Sequence, residues 1–150
     1  MPTQYPVSKD PMDLIPELQE RWERLRAIFT VEFPGYDLRL TCTHRPPEIQ
    51  LELFMKGRRH LPDGRFVVID RDAVLTNKDG FRNLSLHNHY KARAFDVAIV
   101  NTLRNRAIWV TNENPVPEQW RRLVALGKEV GLFNGGVWSN PSDWPHFELA

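Results

Sequence analysis

Leu14, Leu18, Trp22, Leu25 and Phe29 recur every three or four residues, while Glu17, Glu20, Arg21 and Arg24 fall on other faces. That period predicts an amphipathic helix. Asp10 followed by Pro11 supplies a start, an N-cap acid ahead of proline at the first helical position, and Phe33-Pro34-Gly35 supplies the end. From Asp37 to Thr43 the period shortens to two: Leu38, Leu40 and Cys42 alternate with Arg39 and Thr41. This is the signature of a half-buried strand, with Cys42 on its apolar side as a small buried hydrophobe. His44-Arg45-Pro46-Pro47 breaks the strand, and Glu48 to Met55 forms a short helix. Residues 60–84 are interrupted by Gly64, Asn77, Gly80 and Asn83, leaving only Phe66 to Ile69 as a candidate strand. A long loop over one face is expected there, and such loops are often functional. Arg93 to Val100 is a second strand; after a polar stretch and Asn114-Pro115, Glu118 to Val130 is a second amphipathic helix. Gly131 stands where a C-terminal helix glycine belongs, and Trp144 to Leu149 closes the chain as a strand. No repeat or linker interrupts this order, so the expectation is a single domain over 1–150 of α+β class. Its small antiparallel sheet would be flanked by helices.

Composition narrows the picture without changing it. At 150 residues, 41% hydrophobic and 26% charged, the chain can bury a core and hold fixed geometry. Twenty basic and 19 acidic residues leave a net charge of +1, which gives no global attraction for nucleic acid. Binding to an anionic partner must therefore come from local groups, and Lys56, Arg58 and Arg59 offer one such patch. No apolar run approaches the roughly 20 residues that span a bilayer. No basic segment followed by an apolar one opens the chain, so cytoplasmic synthesis is the expectation. A single cysteine excludes an internal disulfide and a cysteine-rich zinc site. Any zinc would rest on histidine and carboxylate, the donor set of catalytic sites more than structural ones.

The two later strands carry such donors. Phe95, Val97 and Ile99 share one face of their strand, leaving Asp96 between Ala94 and Ala98 on the other. Pro145, Phe147 and Leu149 share a face, leaving Trp144, His146 and Glu148 opposite. Burying both apolar faces would bring Asp96 and His146 together on one side of the sheet. His87 and His89, nine and seven residues before Asp96, are both placed to supply a third ligand. Asp143, three residues before His146, is placed to exchange a proton with water whose pKa a metal has lowered. The same residues admit a plainer reading: solvated loop histidines, an Asp96 paired with Arg93 or Arg45, and an Asp143 that caps a turn.

Taken in order, Ser85-x-His87, Ala94-x-Asp96 and Asp143-Trp144-Pro145-His146-Phe147-Glu148 resemble the zinc D,D- and L,D-type peptidases of bacterial peptidoglycan. That family includes D-Ala-D-Ala carboxypeptidases and phage L-alanyl-D-glutamate endopeptidases, on a fold shared with hedgehog domains. Thr43-His44-Arg45 with Gln50 and Gly57-Arg58, and Gly135-Gly136-Val137-Trp138, extend the resemblance over roughly Leu38 to Leu149. It implies that Asp96 and His146 bind zinc and that Asp143 is the general base and acid. Arg45 would hold a substrate carboxylate or the developing oxyanion, and Ser85 would support the site by hydrogen bonding. The spacer departs from the commonest form. A seven-residue step to the aspartate selects His89, whereas the Ser-x-His element selects His87 with a two-residue insertion. The glycine usual in the spacer is Ala92. Ser85-Leu86-His87-Asn88 resembles phage members with the longer spacer, which favours His87 as the ligand and leaves His89 as the alternative.

The activity so implied is hydrolysis of a stem-peptide amide bond, with the peptidoglycan stem peptide as substrate and Zn2+ as cofactor. A phage endolysin of L-alanyl-D-glutamate specificity is expected, acting as a monomer. It would accumulate in the host cytoplasm and reach the wall once the membrane is breached. A D-alanyl-D-alanine carboxypeptidase is the second reading. A non-catalytic zinc- or peptidoglycan-binding domain on the same fold is the third, and retention of Asp143 argues against it.

Overall fold

The computed structural model describes residues 7–111, 115–138 and 142–150; Asn114, expected in a turn, lies outside them. Among these residues three α-helices, α1 (Pro16–Glu32), α2 (Pro47–Met55) and α3 (Glu118–Glu129), accompany seven strands. These are β1 (Tyr36–Cys42), β2 (Arg58–His60), β3 (Phe66–Val68), β4 (Ala94–Asn101), β5 (Arg106–Ile108), β6 (Leu132–Gly135) and β7 (Asp143–Leu149). The main sheet runs β1-β4-β7-β6, all antiparallel, with β5 paired to the far end of β4. The architecture is the expected α+β arrangement. Among the described residues no helix is long and apolar enough to cross a membrane.

The core follows the sequence periods. Leu18, Trp22, Leu25 and Phe29 of α1 meet Phe95, Val97 and Ile99 of β4, together with Trp120 and Leu123 of α3 and Phe147 of β7. Phe147 stacks on Phe95 with ring centroids 5.6 Å apart. On its other side, a Cβ at Gly127 would lie 2.8 Å from the Phe147 ring, so only glycine lets α3 come this close. Burying both aromatic rings locks β7 against β4. A one-residue slip would turn every inward side chain outward.

Several boundaries move from their expected positions. Asp10 does cap a helical turn, accepting from Met12 N at 2.8 Å, but that turn is the 3-10 segment Pro11–Asp13. The long helix begins at Pro16. Ile15 precedes a proline and is thereby steered away from helical geometry, so the chain extends before it restarts. The expected 60–84 loop begins inside a hairpin of β2 and β3 and contains a 3-10 turn, Arg71–Ala73, before the irregular wall described below. Gly131 takes φ +81°, as a helix-ending glycine should.

One surface cluster gives a pH test of stability. Arg26 donates to both oxygens of Asp37 in three bonds of 3.2 Å, and Arg39 adds a fourth. Burial alone would raise the Asp37 pKa, but these partners hold it below the usual carboxylate value. A depressed native pKa means stability present above the unfolded value and lost as pH falls through the native one. Asp37→Asn should therefore cost about 0.5–1 kcal/mol at pH 7, a modest figure because the arginines are half exposed. That cost should vanish in acid, measured by urea unfolding at both pH values.

Candidate metal and catalytic site

Asp96 and His146 are register partners across β4 and β7, as the alternation of both strands requires. Cys42 is the partner of Asp96 on its other flank, in β1. His87 arrives from outside the sheet, in the 3-10 turn Leu86–Asn88. Ser85 caps that turn: its hydroxyl oxygen accepts from His87 N at 3.2 Å, and the Asn88 side chain closes the box on Ser85 N at 2.8 Å. Asn88 also donates to Arg45 O at 2.9 Å, while Arg45 N donates to His87 O at 2.8 Å. The Ser-x-His-Asn element thus builds one turn and ties it to the arginine segment. Ser85 lines the cleft, and its hydroxyl oxygen holds the His87 turn.

Three ring and carboxylate atoms converge. His87 Nε2 lies 3.2 Å from Asp96 Oδ1, His146 Nδ1 lies 3.4 Å from it, and the two nitrogens are 3.3 Å apart. The opposite ring nitrogens are committed elsewhere. His87 Nδ1 lies 2.8 Å from Thr43 O, a carbonyl that can only accept, so the proton sits on Nδ1. His146 Nε2 lies 2.9 Å from Glu148 Oε1, which draws the second proton to Nε2. With neutral rings, both lone pairs and Asp96 Oδ1 face one point with no donor among them. Asp96 Oδ1 is buried and, despite the two close rings, accepts no well-formed hydrogen bond.

An orphaned buried acceptor is costly unless something positive satisfies it. A tetrahedral ion with bonds of about 2.0–2.1 Å requires ligand edges of roughly 3.3–3.4 Å, which matches this triangle. The donor set, two imidazoles and one carboxylate, leaves a fourth position free, as catalytic sites do. The residues present therefore fit such an ion. Without one, a proton meets the same demand. Burial pulls His87 down, but the charge and hydrogen bond of Asp96, helped by Cys42, carry its pKa up to about 10. His146 is likewise raised: burial opposes the shift, and bonds to Asp96 and Glu148 outweigh it. Burial would raise Asp96, yet the two histidines hold it far below the carboxylate range. Metal binding to such a trio would release a proton.

The other expected residues divide. Asp143 brings a carboxylate oxygen within 4.8 Å of the ligand atoms of Asp96 and His146. Its pKa is raised, first by burial and then by the Asp96 charge. Strict alternation would have put residues three apart on opposite faces, so this placement needs an irregularity. The register of β6 and β7 shifts between Asn134 and Gly135, a bulge that brings Asp143 round. Buried Asn134 latches it, donating to Trp144 O at 2.7 Å and His146 O at 3.1 Å. Trp144, expected beside His146, packs partly against the core instead. His89 belongs to no group of metal-ligating atoms among the described residues. Cys42 Sγ lies 3.7 Å from His87 Nδ1, and Cys42, His87 and Asp96 form a second group of possible ligand atoms within 4.8 Å of one another.

Arg45, rather than Arg93, pairs with Asp96: its guanidinium reaches Oδ2 at 3.3 Å. Its other arm donates to Gln50 Oε1 at 2.8 Å. Gln50 is fully buried and spends its amide on Lys78 O at 2.8 Å and Thr76 Oγ1 at 3.2 Å. It thereby fixes Arg45 and the irregular wall at 76–80 together, a role that residue order alone does not reveal. Arg58, offered as part of a wall-docking patch, is instead an internal strut. It donates to Phe54 O, Thr76 O and Asn77 Oδ1 and lies over the Phe54 ring. A cleft of about 740 Å³ opens onto the triangle, lined by Arg45, Lys78, Leu84, Trp138, Asp143 and Glu148 among others.

The fold is similar to that of the L-Ala D-Glu endopeptidase ChiX of Serratia marcescens, with a TM-score of 0.55 and 14% sequence identity. The similarity covers 93% of this chain and 83% of that one. Residues 80–149, which carry His87, Asp96, Asp143 and His146, match a family model described as D-alanyl-D-alanine carboxypeptidase. The segment that holds the buried triangle is thus similar to that family of peptidases.

Proposed function

We propose that this protein is a zinc-dependent peptidase that hydrolyses an amide bond of the peptidoglycan stem peptide. The observation that carries the reading is the triangle of His87, Asp96 and His146, with Asp143 beside it, at the floor of an open cleft. When bound, zinc supplies Lewis acidity toward the scissile carbonyl and toward water. Asp143 takes a proton from the attacking water and returns it to the leaving amine. Its raised pKa suits a group that must hold the proton between those steps. Arg45, pinned by Gln50 and Asp96, sets a fixed positive charge at the cleft for the developing oxyanion or a substrate carboxylate.

Within that class, the L-alanyl-D-glutamate bond is the proposed target, supported by the fold similarity to an endopeptidase of that specificity. The Ser-x-His-Asn spacer supports a phage endolysin, a monomer made in the host cytoplasm that meets the wall after the membrane is breached. The D-alanyl-D-alanine bond is the second reading, favoured by the family match. Mass spectrometry of muropeptides incubated with the purified protein separates the two. Cleavage should release fragments beginning at D-glutamate, stop with chelator and return with zinc. Loss of a terminal D-alanine would establish the carboxypeptidase. Cleavage indifferent to chelator would refute the zinc reading, and tight binding of muropeptides without cleavage would establish a binding domain.

A further inference from the structure

We infer that Glu148 is a positioning residue for the metal centre, acting through His146 to fix which ring nitrogen is free to bind. The inference rests on the zinc reading above and extends it to a residue outside the ligand set.

Residues two apart on a strand share a face, so β7 sets Glu148 beside His146 by its period alone. Glu148 Oε1 lies 2.9 Å from His146 Nε2, and a carboxylate there accepts only if the proton resides on Nε2. Nδ1 is thereby left with a lone pair at 3.4 Å from Asp96 Oδ1 and 3.3 Å from His87 Nε2. The two histidines thus bind through opposite nitrogens, each fixed by its own outer partner: Thr43 O for His87 and Glu148 for His146. The partners differ in kind. Thr43 offers a neutral carbonyl that no side-chain substitution removes, whereas Glu148 offers a full charge that raises the basicity of the ring it holds. Phe147, wedged between Phe95 and Gly127, points the other way and keeps the strand from rotating out of this alignment. Glu148 also lines the cleft with a quarter of its side chain exposed, so it can be changed without opening the core.

The test is zinc affinity, by competition with a chromophoric chelator, for the parent, Glu148→Gln, Glu148→Ala and Glu148→Thr. Nitrogen-15 spectra of the histidine rings supply a second readout. Threonine suits a strand and is too short to reach the ring, so it serves if alanine disturbs the fold. Truncation should weaken zinc about 10–100-fold, the usual cost of losing an outer partner. The hydrogen-bonded Nε2 proton of His146 should disappear with it. Glutamine keeps an acceptor without the charge, so it should retain the Nε2 proton and recover part of the affinity. Truncated variants that hold zinc as tightly as the parent would overturn the inference, as would a glutamine variant no better than threonine. A parent that binds no zinc would instead overturn the function proposed above.

Discussion

His87→Ala should purify without zinc and cleave no stem peptide, whereas His89→Ala should keep both properties. His87 is buried, its Nδ1 is spent on Thr43 O, and its Nε2 forms two of the three edges of the ligand triangle. Alanine there leaves Asp96 and His146 as a two-point site beside an empty volume. His89 ends the 3-10 turn in extended geometry, two residues on, and belongs to no group of metal-ligating atoms among the described residues. Removing a direct ligand should cost more than the roughly 100-fold that marks the upper range for outer partners. Elemental analysis after dialysis gives the zinc content, and circular dichroism shows whether the variant still folds. Stoichiometric zinc in folded His87→Ala, or its loss from His89→Ala, would move the ligand role to His89.

Much of this site is legible in the sequence because strands have a short, rigid period. Asp96 between Ala94 and Ala98, and His146 beside Phe147, point to their shared face with no knowledge of the fold. Helix α1 is legible for the same reason, since Leu18, Trp22, Leu25 and Phe29 at helical spacing can be buried only together. Its start is misplaced because an N-cap acid and proline at Asp10-Pro11 look alike whether a long helix or a single turn follows. The second proline, Pro16, decides between them through Ile15. Strands β5 and β6, three and four residues long, are too short to show any period. The role of Gln50 is beyond reach for another reason. Its partners are a guanidinium five residues away and a loop more than 25 residues on, and no local pattern couples them. The position of His87 depends on a capped turn rather than a strand, so residue spacing favours His89, which lies outside the triangle, while the Ser-x-His-Asn element selects the residue that joins it.

The second large effect concerns Asp143, where strand period by itself gives the wrong face. Asp143 and His146 are three apart, so a regular β7 would send one carboxylate or one imidazole into the core. The bulge opposite Asn134 absorbs the mismatch, at the cost of ladder bonds that Asn134 replaces with its own donations to Trp144 O and His146 O. Spending a buried asparagine to hold an irregular turn is a structural expense that a bare metal-binding site would not require. Asp143→Asn should therefore keep the fold and full zinc content, because the amide matches the carboxylate in volume and the ligand triangle is untouched. It should lower kcat by about 10²–10⁴, the range for a positioned general acid or base, since an amide cannot take the proton from water or return it to the amine. Substrate binding, read as the Kd for an uncleaved muropeptide, should change little. An Asn variant within tenfold of the parent kcat would exclude Asp143 as the proton carrier, whereas one that loses zinc would make it a fourth ligand.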